Sequence, residues 1–224
     1  MIITLKDGSK KEYAQAMSII DIARDISEGL ARVACVGEVD GQTEDLRTVI
    51  DKDCELNILT AKDAEGLAAL RHTASHVMAQ AIKRLYPSAK LAIGPSIADG
   101  FYYDIDLGND VVNDEVIAAI EKEMKKICKE GKKIYRREVS KAEAMEMFKD
   151  DMYKLDLISN LEDGNITVYD QGDFTDLCRG PHVDNTKLCK NFKLVKHSGV
   201  YWKGDANNHV MQRIYGVCFP TPEE

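Results

Sequence analysis

The sequence predicts an α+β fold made of two units, and three observations carry that expectation. Residues 1–62 hold short strand-like runs around one helical stretch. The polar segment TAKDAEG, residues 60–66, then interrupts the apolar pattern. Beyond it, helices and strands follow one another without the regular alternation of a parallel α/β sheet. A length of 224 residues suits two modest domains or one large one.

In the first unit, IITL and KKEY flank KDGS, a glycine-containing hairpin turn. SIIDIARDISEG reads as a short helix: Ser18 can cap it, Asp21 follows three residues on, and Gly29 closes it. ARVACVGEVDG and CELNILT supply further strands, so the expected arrangement is a helix packed on a mixed sheet. The second unit opens with LAALRHTASHVMAQAIKRLYP, residues 67–87. There Leu67, Leu70, Ala74, Val77, Met78, Ala81 and Leu85 form one apolar stripe at helical spacing, and Pro87 stands just past the end. GPSIADGFYYDIDL turns and then alternates as a strand. NDEVIAAIEKEMKKICKEG is a helix with Asn113 to cap it and Gly131 to end it. KIYRREVS reads as a strand, KAEAMEMFKDD as a helix, and MYKLDLISNL as its helical continuation. NITVYDQGDFTDLCRGPHV passes from strand to loop, and short strands are expected from residue 191 onward.

Composition excludes several classes of function. Hydrophobic content of 44% with 30% charged residues is that of a soluble globular protein. No run approaches the roughly 18 apolar residues of a membrane helix. The N-terminal MIITLKDGSKKEY shows neither a signal-peptide apolar region nor an arginine-rich transit pattern. Six cysteines without a tight framework read as reduced thiols in a cytoplasmic protein. A net charge of −8 argues against non-specific coating of nucleic acid. It leaves room for a local basic surface. In KKICKEGKKIYRR, residues 125–137, seven of thirteen residues are basic: Lys125, Lys126, Lys129, Lys132, Lys133, Arg136 and Arg137. Two readings stand, a solvated helix end with its following strand, or a patch that holds phosphates.

Two segments carry chemistry. His72 and His76 lie about 40° apart on the first helix of the second unit, nearly opposite the centre of its apolar stripe. Core packing therefore does not account for them, and the competing reading is a pair of solvated histidines. Cys178 and His182 are separated by Arg-Gly-Pro, which a helix interior does not accept. A loop can bring both to one side. Together the four suit tetrahedral zinc, and they equally suit a metal-free hydrolytic site in which imidazoles orient a water. His197 and His209 lack comparable spacing and read as surface or structural residues, and Cys35, Cys54, Cys128, Cys189 and Cys218 as packing residues.

LRHTASHVMAQAIKRLYP, GFYYDIDL, MYKLDLI, FTDLCRGPHV and YWKGDANNHVMQRIYG together resemble the N-terminal half of bacterial-type threonyl-tRNA synthetases. The resemblance covers nearly the whole chain. It implies a TGS domain, a ubiquitin-like β-grasp module, over residues 1–62. It implies over residues 63–224 the two-layer α/β editing domain shared with alanyl-tRNA synthetases. The implied activity is hydrolysis of mischarged seryl-tRNA(Thr). The implied site is His72, His76, Cys178 and His182. Asp176 would hold the substrate's α-amino group, and Lys154 would anchor the tRNA terminus or help activate water. Tyr103, or its neighbour Tyr102, would line the pocket. For Lys154 an exposed helix lysine is the bland alternative, and for the tyrosines a packing role. No cofactor is expected for editing, with zinc at the four-residue cluster as the alternative. The resemblance places ATP, Mg²⁺, a catalytic zinc and aminoacylation itself in a class II catalytic domain that would follow residue 224. Expected partners are tRNA(Thr), its seryl form as substrate, and the remainder of a homodimeric synthetase. Two other readings compete: a free-standing deacylase for another misacylated tRNA, such as seryl- or glycyl-tRNA(Ala), and a non-catalytic RNA-binding module with a structural metal site.

Overall fold

The computed structural model describes residues Met1–Glu224. In the first unit, β1 (Ile2–Leu5) and β2 (Lys10–Glu12) form the expected hairpin, and β3 (Met17–Ser18) leads into α1 (Ile19–Ile26) and α2 (Glu28–Val33). β4 (Ala34–Val39), β5 (Gln42–Glu44), β6 (Val49–Ile50) and β7 (Cys54–Thr60) complete it. The sheet order is β2-β1-β7-β4-β5, with β1 and β7 parallel at its centre. α1 covers one face through Ile19, Ile20, Ile22 and Ala23 against Ile3, Leu46 and Leu56. This is the β-grasp arrangement.

One expectation fails here. Gly29 does not close α1. Ser27 adopts extended backbone, ends α1, and accepts a hydrogen bond from Leu30 N–H as the cap of α2. Gly29 therefore lies inside a helix. The Ser18 cap is present, its Oγ accepting from Asp21 N–H at 3.3 Å.

The second unit begins at once. β7 ends at Thr60 and α3 spans Ala64–Leu85, so the polar join is three residues long, with part of the segment 60–66 already in strand or helix. Asp63 Oδ2 accepts from Thr60 N–H at 2.9 Å. Gly66 presses against the Thr60 carbonyl so closely that a Cβ would lie 1.9 Å from its oxygen. After α3 come β8 (Lys90–Leu91), β9 (Ser96–Ile97), β10 (Gly100–Asp106), α4 (Asp114–Glu130), β11 (Ile134–Glu138), α5 (Lys141–Met147) and α6 (Met152–Ser159). β12 (Thr167–Gln171), β13 (Phe174–Leu177), a 3₁₀ turn at Thr186–Cys189, β14 (Phe192–Tyr201) and β15 (Val210–Cys218) follow. Asn113 caps α4 through Val116 N–H, and Gly131 ends it in the left-handed region at φ 65°, as its lack of a side chain permits.

Helices α5 and α6 are separate rather than continuous, because Asp151 caps a new helix by accepting from Tyr153 and Lys154 N–H. The segment after residue 191 forms one long hairpin, β14–β15, rather than several short strands. The sheets run β14-β15-β10-β8 and β11-β12-β13.

Helix α3 lies between these layers and is buried on nearly every side from Gly66 to Ile82. Its apolar stripe meets the main core with α4, β10 and β15. The opposite face is covered as well, so the expectation that core packing leaves the histidines out is overturned. Gln80 accepts from Gln171 on β12 and donates to Asp173, while Thr73 reaches the segment after β13. That second face is polar and buried, which an amphipathic wheel reads as solvent.

The first unit docks on this assembly through Asp45 and Arg47, whose bonds reach Tyr169, His182, Val183 and Ile134. No helix is long and apolar enough to cross a membrane.

Two glycines test the tight join. Gly66→Ala forces backbone against backbone and should lower unfolding free energy by about 1–3 kcal/mol or more. Gly29→Ala, helical and uncrowded, should be neutral or stabilise by about 0.5–1 kcal/mol. Denaturant unfolding of both variants checks the contrast.

Candidate active site

The sequence-predicted quartet comes together. Helical spacing puts His72 and His76 one turn apart on α3, with ring centroids 4.9 Å apart. The loop after β13 brings Cys178 and His182 against them. Cys178 Sγ lies 3.4 Å from His72 Nε2 and 3.2 Å from His182 Nε2. The His72 and His182 rings stack at 4.3 Å, and His76 meets His182 edge-on at 4.4 Å. The loop is fixed from below: Cys178 N–H donates to Thr167 O, its carbonyl accepts from Thr167 Oγ1, and Gly180 N–H donates to its sulfur. Gly180 holds φ 75°, and a Cβ there would strike the Tyr169 hydroxyl.

Thr73, which sequence reasoning missed, sets the tautomer of His182. Its hydroxyl proton goes to the Ala69 carbonyl at 2.8 Å, so towards His182 Nδ1, at 2.9 Å, the oxygen can only accept. With the hydroxyl proton on Ala69, the pairing favours the tautomer with the proton on Nδ1, which turns the Nε2 lone pair to the cluster. No local signal in the sequence marks it, since its partner His182 lies 109 residues away.

Beside the quartet sits a buried charge pair. Lys154 is only 3% exposed, which removes the solvated-lysine reading. Its Nζ contacts Asp176 Oδ1 at 2.7 Å, Ala92 O at 2.9 Å and Tyr103 Oη at 3.0 Å. Two of these contacts are hydrogen bonds and the Asp176 contact is a close ion pair, which leaves Asp176 Oδ1 buried without a hydrogen-bond donor. Lys154 thus holds Asp176 and Tyr103 in place. Tyr103 Oη donates in turn to Asp176 Oδ2 at 2.7 Å, and His76 Nδ1 lies 3.5 Å from the same oxygen. Tyr102 is not in this group. Strand alternation turns it to the other face of β10, where the Arg213 guanidinium lies 4.0 Å from its ring centroid. A cavity of about 310 Å³ opens onto His72, His76, Tyr103, Lys154, Asp176 and Cys178.

The electrostatics define what the site can do. Burial pushes His76 down to about 3, the Asp176 charge opposing only in part, and lowers His72 and His182 as well. Burial pushes the Cys178 thiol up to about 12, with the Gly180 N–H opposing and the Asp176 charge adding. Burial also acts to raise Asp176, but the Lys154 charge and the bonds from Lys154 and Tyr103 outweigh it and hold the carboxyl below its ordinary range. The result is three neutral imidazoles that can accept hydrogen bonds but are weak bases, a thiol poorly suited to nucleophilic attack, and a fixed carboxylate.

The same donors fit a zinc ion. Their ligand atoms all lie within 4.8 Å of one another. Tetrahedral zinc, with nitrogens at about 2.0–2.1 Å and a thiolate at about 2.3 Å, spaces such atoms about 3.3–3.6 Å apart, so a modest movement suffices. Thr73 on His182 and Asp176 on His76 are the outer partners that such ligands use. Zinc held by all four would deprotonate the thiol and form a closed tetrahedral site, and it could polarise a water only if one of the four left it a position.

The basic stretch divides. Lys126 pairs with Glu123 at 3.6 Å, Arg137 with Asp170 at 2.7 Å, and Arg136 lies 3.9 Å from Asp45. Lys125, Lys129, Lys132 and Lys133 are exposed and form no ion pair. His197 and His209 are exposed, away from the cluster. Cys35, Cys54, Cys128, Cys189 and Cys218 are buried and free.

Comparison with known proteins gives this arrangement a class. Residues 1–60 match the TGS domain, and residues 166–215 match the threonyl and alanyl tRNA synthetase second additional domain. The chain is therefore of aminoacyl-tRNA synthetase type. Its relatives narrow the family. It is 53% identical over 220 residues to the threonine–tRNA ligase of Clostridioides difficile (strain 630), covering 97% of this chain and 34% of that enzyme. It is 51% identical over 222 residues to that of Desulfatibacillum aliphaticivorans, covering 99% of this chain and 35% of the relative. The chain is thus a homologue of the N-terminal part of threonine–tRNA ligases, and spans about a third of the length of these curated relatives.

The neutral histidines make a pH prediction. Their folded values lie below the ordinary 6.5, so between about pH 3 and 6.5 the unfolded chain binds more protons. Stability is then intact above that window and falls as pH drops through it. His76→Gln should flatten the fall, and denaturant unfolding from about pH 7 to about pH 5 measures it. An equal slope in both proteins contradicts buried neutral His76.

Proposed function

We propose that this chain hydrolyses the seryl ester of mischarged tRNA(Thr). The observation that carries the reading is the quartet of His72, His76, Cys178 and His182 opening into a cavity walled by Asp176 and Tyr103, in a homologue of threonine–tRNA ligases. The chemical need is plain. A synthetic site for threonine separates serine by one methyl, worth about 1–3 kcal/mol, and a second hydrolytic site supplies the missing discrimination.

In the reaction, the Asp176 carboxylate pairs with the α-ammonium of the seryl group at the cavity wall. A neutral imidazole takes a proton from water, with the His182 Nε2 lone pair suitably turned for it. The water oxygen bonds to the ester carbonyl carbon, the bond to the terminal ribose oxygen breaks, and that oxygen receives the proton. Serine and uncharged tRNA leave. Lys154 acts by fixing Asp176 and Tyr103. Cys178, held as a thiol, shapes the site rather than attacking. The extra methyl of threonine would displace the water or the ester within the cavity. Exposed Lys125, Lys129, Lys132 and Lys133 are the proposed contacts to the tRNA backbone, and the remainder of a synthetase is the proposed partner that presents it.

Deacylation of seryl- and threonyl-tRNA(Thr) by this chain tests the reading. Serine should be released and threonine retained, and His72→Ala and Cys178→Ala should cut the rate, the former by roughly 10²–10⁴-fold. Activity that survives chelation supports imidazole-assisted hydrolysis, whereas loss restored by added zinc transfers the water to the metal. One tightly held zinc with no deacylation, even with the catalytic and anticodon-binding portion of a threonine–tRNA ligase added, would favour the structural-metal reading. Reversing the charge of Lys125 and Lys129 should raise KM and weaken its salt dependence while sparing kcat. Unchanged deacylation at every tRNA concentration would return those lysines to the solvated surface.

A further inference from the structure

His182 stands between two grips that come from different units. From α3, Thr73 Oγ1 accepts from His182 Nδ1–H and from Val183 N–H at 3.1 Å. The other grip comes from the β-grasp unit, 135–137 residues earlier in the chain. In the loop between β5 and β6, Asp45 is only 5% exposed, and its Oδ2 accepts from His182 N–H at 3.0 Å and from Tyr169 Oη at 2.8 Å. Arg47 donates to the His182 carbonyl at 2.9 Å, to Val183 O at 2.6 Å and to Ile134 O at 2.8 Å. Asp45 and Arg47 also bond to each other at 3.0 Å. Both main-chain polar groups of His182 are thus held by the first unit. Tyr169, anchored by Asp45, lays its ring edge against the His182 imidazole at 4.5 Å.

A docking contact alone does not require this arrangement. Two units can adhere through any complementary surface, whereas here the charged side chains of one end on the backbone of a reacting residue of the other. We infer that the β-grasp unit is part of the hydrolytic site, with Asp45 and Arg47 acting as positioning residues for His182. The inference rests on the deacylase reading above. Thr73 fixes the tautomer and the rotation of the ring, and the Asp45–Arg47 pair fixes the point from which the ring hangs. Loss of either half of the pair lets the loop at 180–183 shift. A displacement of about 1 Å at a reacting group costs up to roughly 10²-fold in rate.

The test uses the whole chain with Asp45→Asn and Arg47→Lys, each close in size to the original, and Tyr169→Phe, which removes only the hydroxyl that Asp45 holds. Arg24→Ala, on the exposed face of the same unit, is the control. Two readouts are needed: kcat and KM for seryl-tRNA(Thr), and the imidazole nitrogen NMR signals of His182. Expected is a fall in kcat of about 10- to 100-fold with KM nearly unchanged. The His182 signals should lose their single-tautomer pattern in Asp45→Asn and Arg47→Lys, with a smaller change in Tyr169→Phe and none in Arg24→Ala. Unaltered kcat and unaltered His182 signals in folded Asp45→Asn and Arg47→Lys would overturn the inference. If the wild-type chain releases no serine, the NMR readout alone still decides whether the pair positions His182, and the deacylase reading fails separately.

Discussion

The buried pair of Lys154 and Asp176 is the constraint around which the site is organised. Taking an ammonium and a carboxylate out of water costs several kcal/mol each, and their attraction offsets this only when the remaining hydrogen bonds are supplied. The fold supplies them from separate elements: Ala92 gives a carbonyl, Tyr103 on β10 a hydroxyl, and α6 and β13 bring the charges themselves. Because each partner is used, none can move alone. α6 must dock where Ala92 lies, and β10 must present Tyr103 inward and Tyr102 outward. β13 then delivers Asp176 to His76 and, two residues on, Cys178 to the quartet.

The quartet itself depends on dehydration. Four groups that each carry or lose a proton near neutrality in water sit together without charge repulsion because burial keeps the imidazoles and the thiol neutral. The fixed charges close by come in opposite pairs, Asp176 with Lys154 and Asp45 with Arg47, which compensate one another. Water admitted through the cavity would meet proton acceptors rather than cations. A divalent ion would meet ligands whose outer partners are already in place.

Much of this was legible where the signal is local. Ser18 and Asn113 cap helices because a side-chain oxygen three residues before an N–H suffices, and Gly131 ends α4 because it reaches the left-handed region freely. The Cys-Arg-Gly-Pro-His loop was readable from its inability to be helical. What failed depended on a second layer. The histidine face of α3 looked solvent-facing because a wheel shows one apolar stripe and cannot show that another sheet packs on polar residues such as Thr73 and Gln80. For Lys154 the sequence left an exposed helix lysine open beside the functional reading, because its partners come from distant segments. Gly29 was misread because Ser27, two residues earlier, was the stronger local signal. Asp45 and Arg47 carry no sequence mark of a site at all, since their partners lie 87–137 residues away.

The hairpin of β14 and β15 has a consequence for synthesis. β15 pairs along β10, the strand that carries Tyr103, and the hairpin tip leans on α6 through Trp202, which meets Tyr153 at 5.0 Å and donates to Asp156. The hairpin, made after every other element of this unit, is therefore what seats the inward-facing tyrosine and clamps the helix bearing Lys154. The β-grasp unit, closed by residue 60, has its own core and can form while the rest is still being made. The second unit has no such head start, and a nascent chain short of about residue 210 would leave β10 unpaired along the edge that β15 covers. Synthesis thus passes through an interval in which one unit is closed and the other still lacks a strand of its sheet.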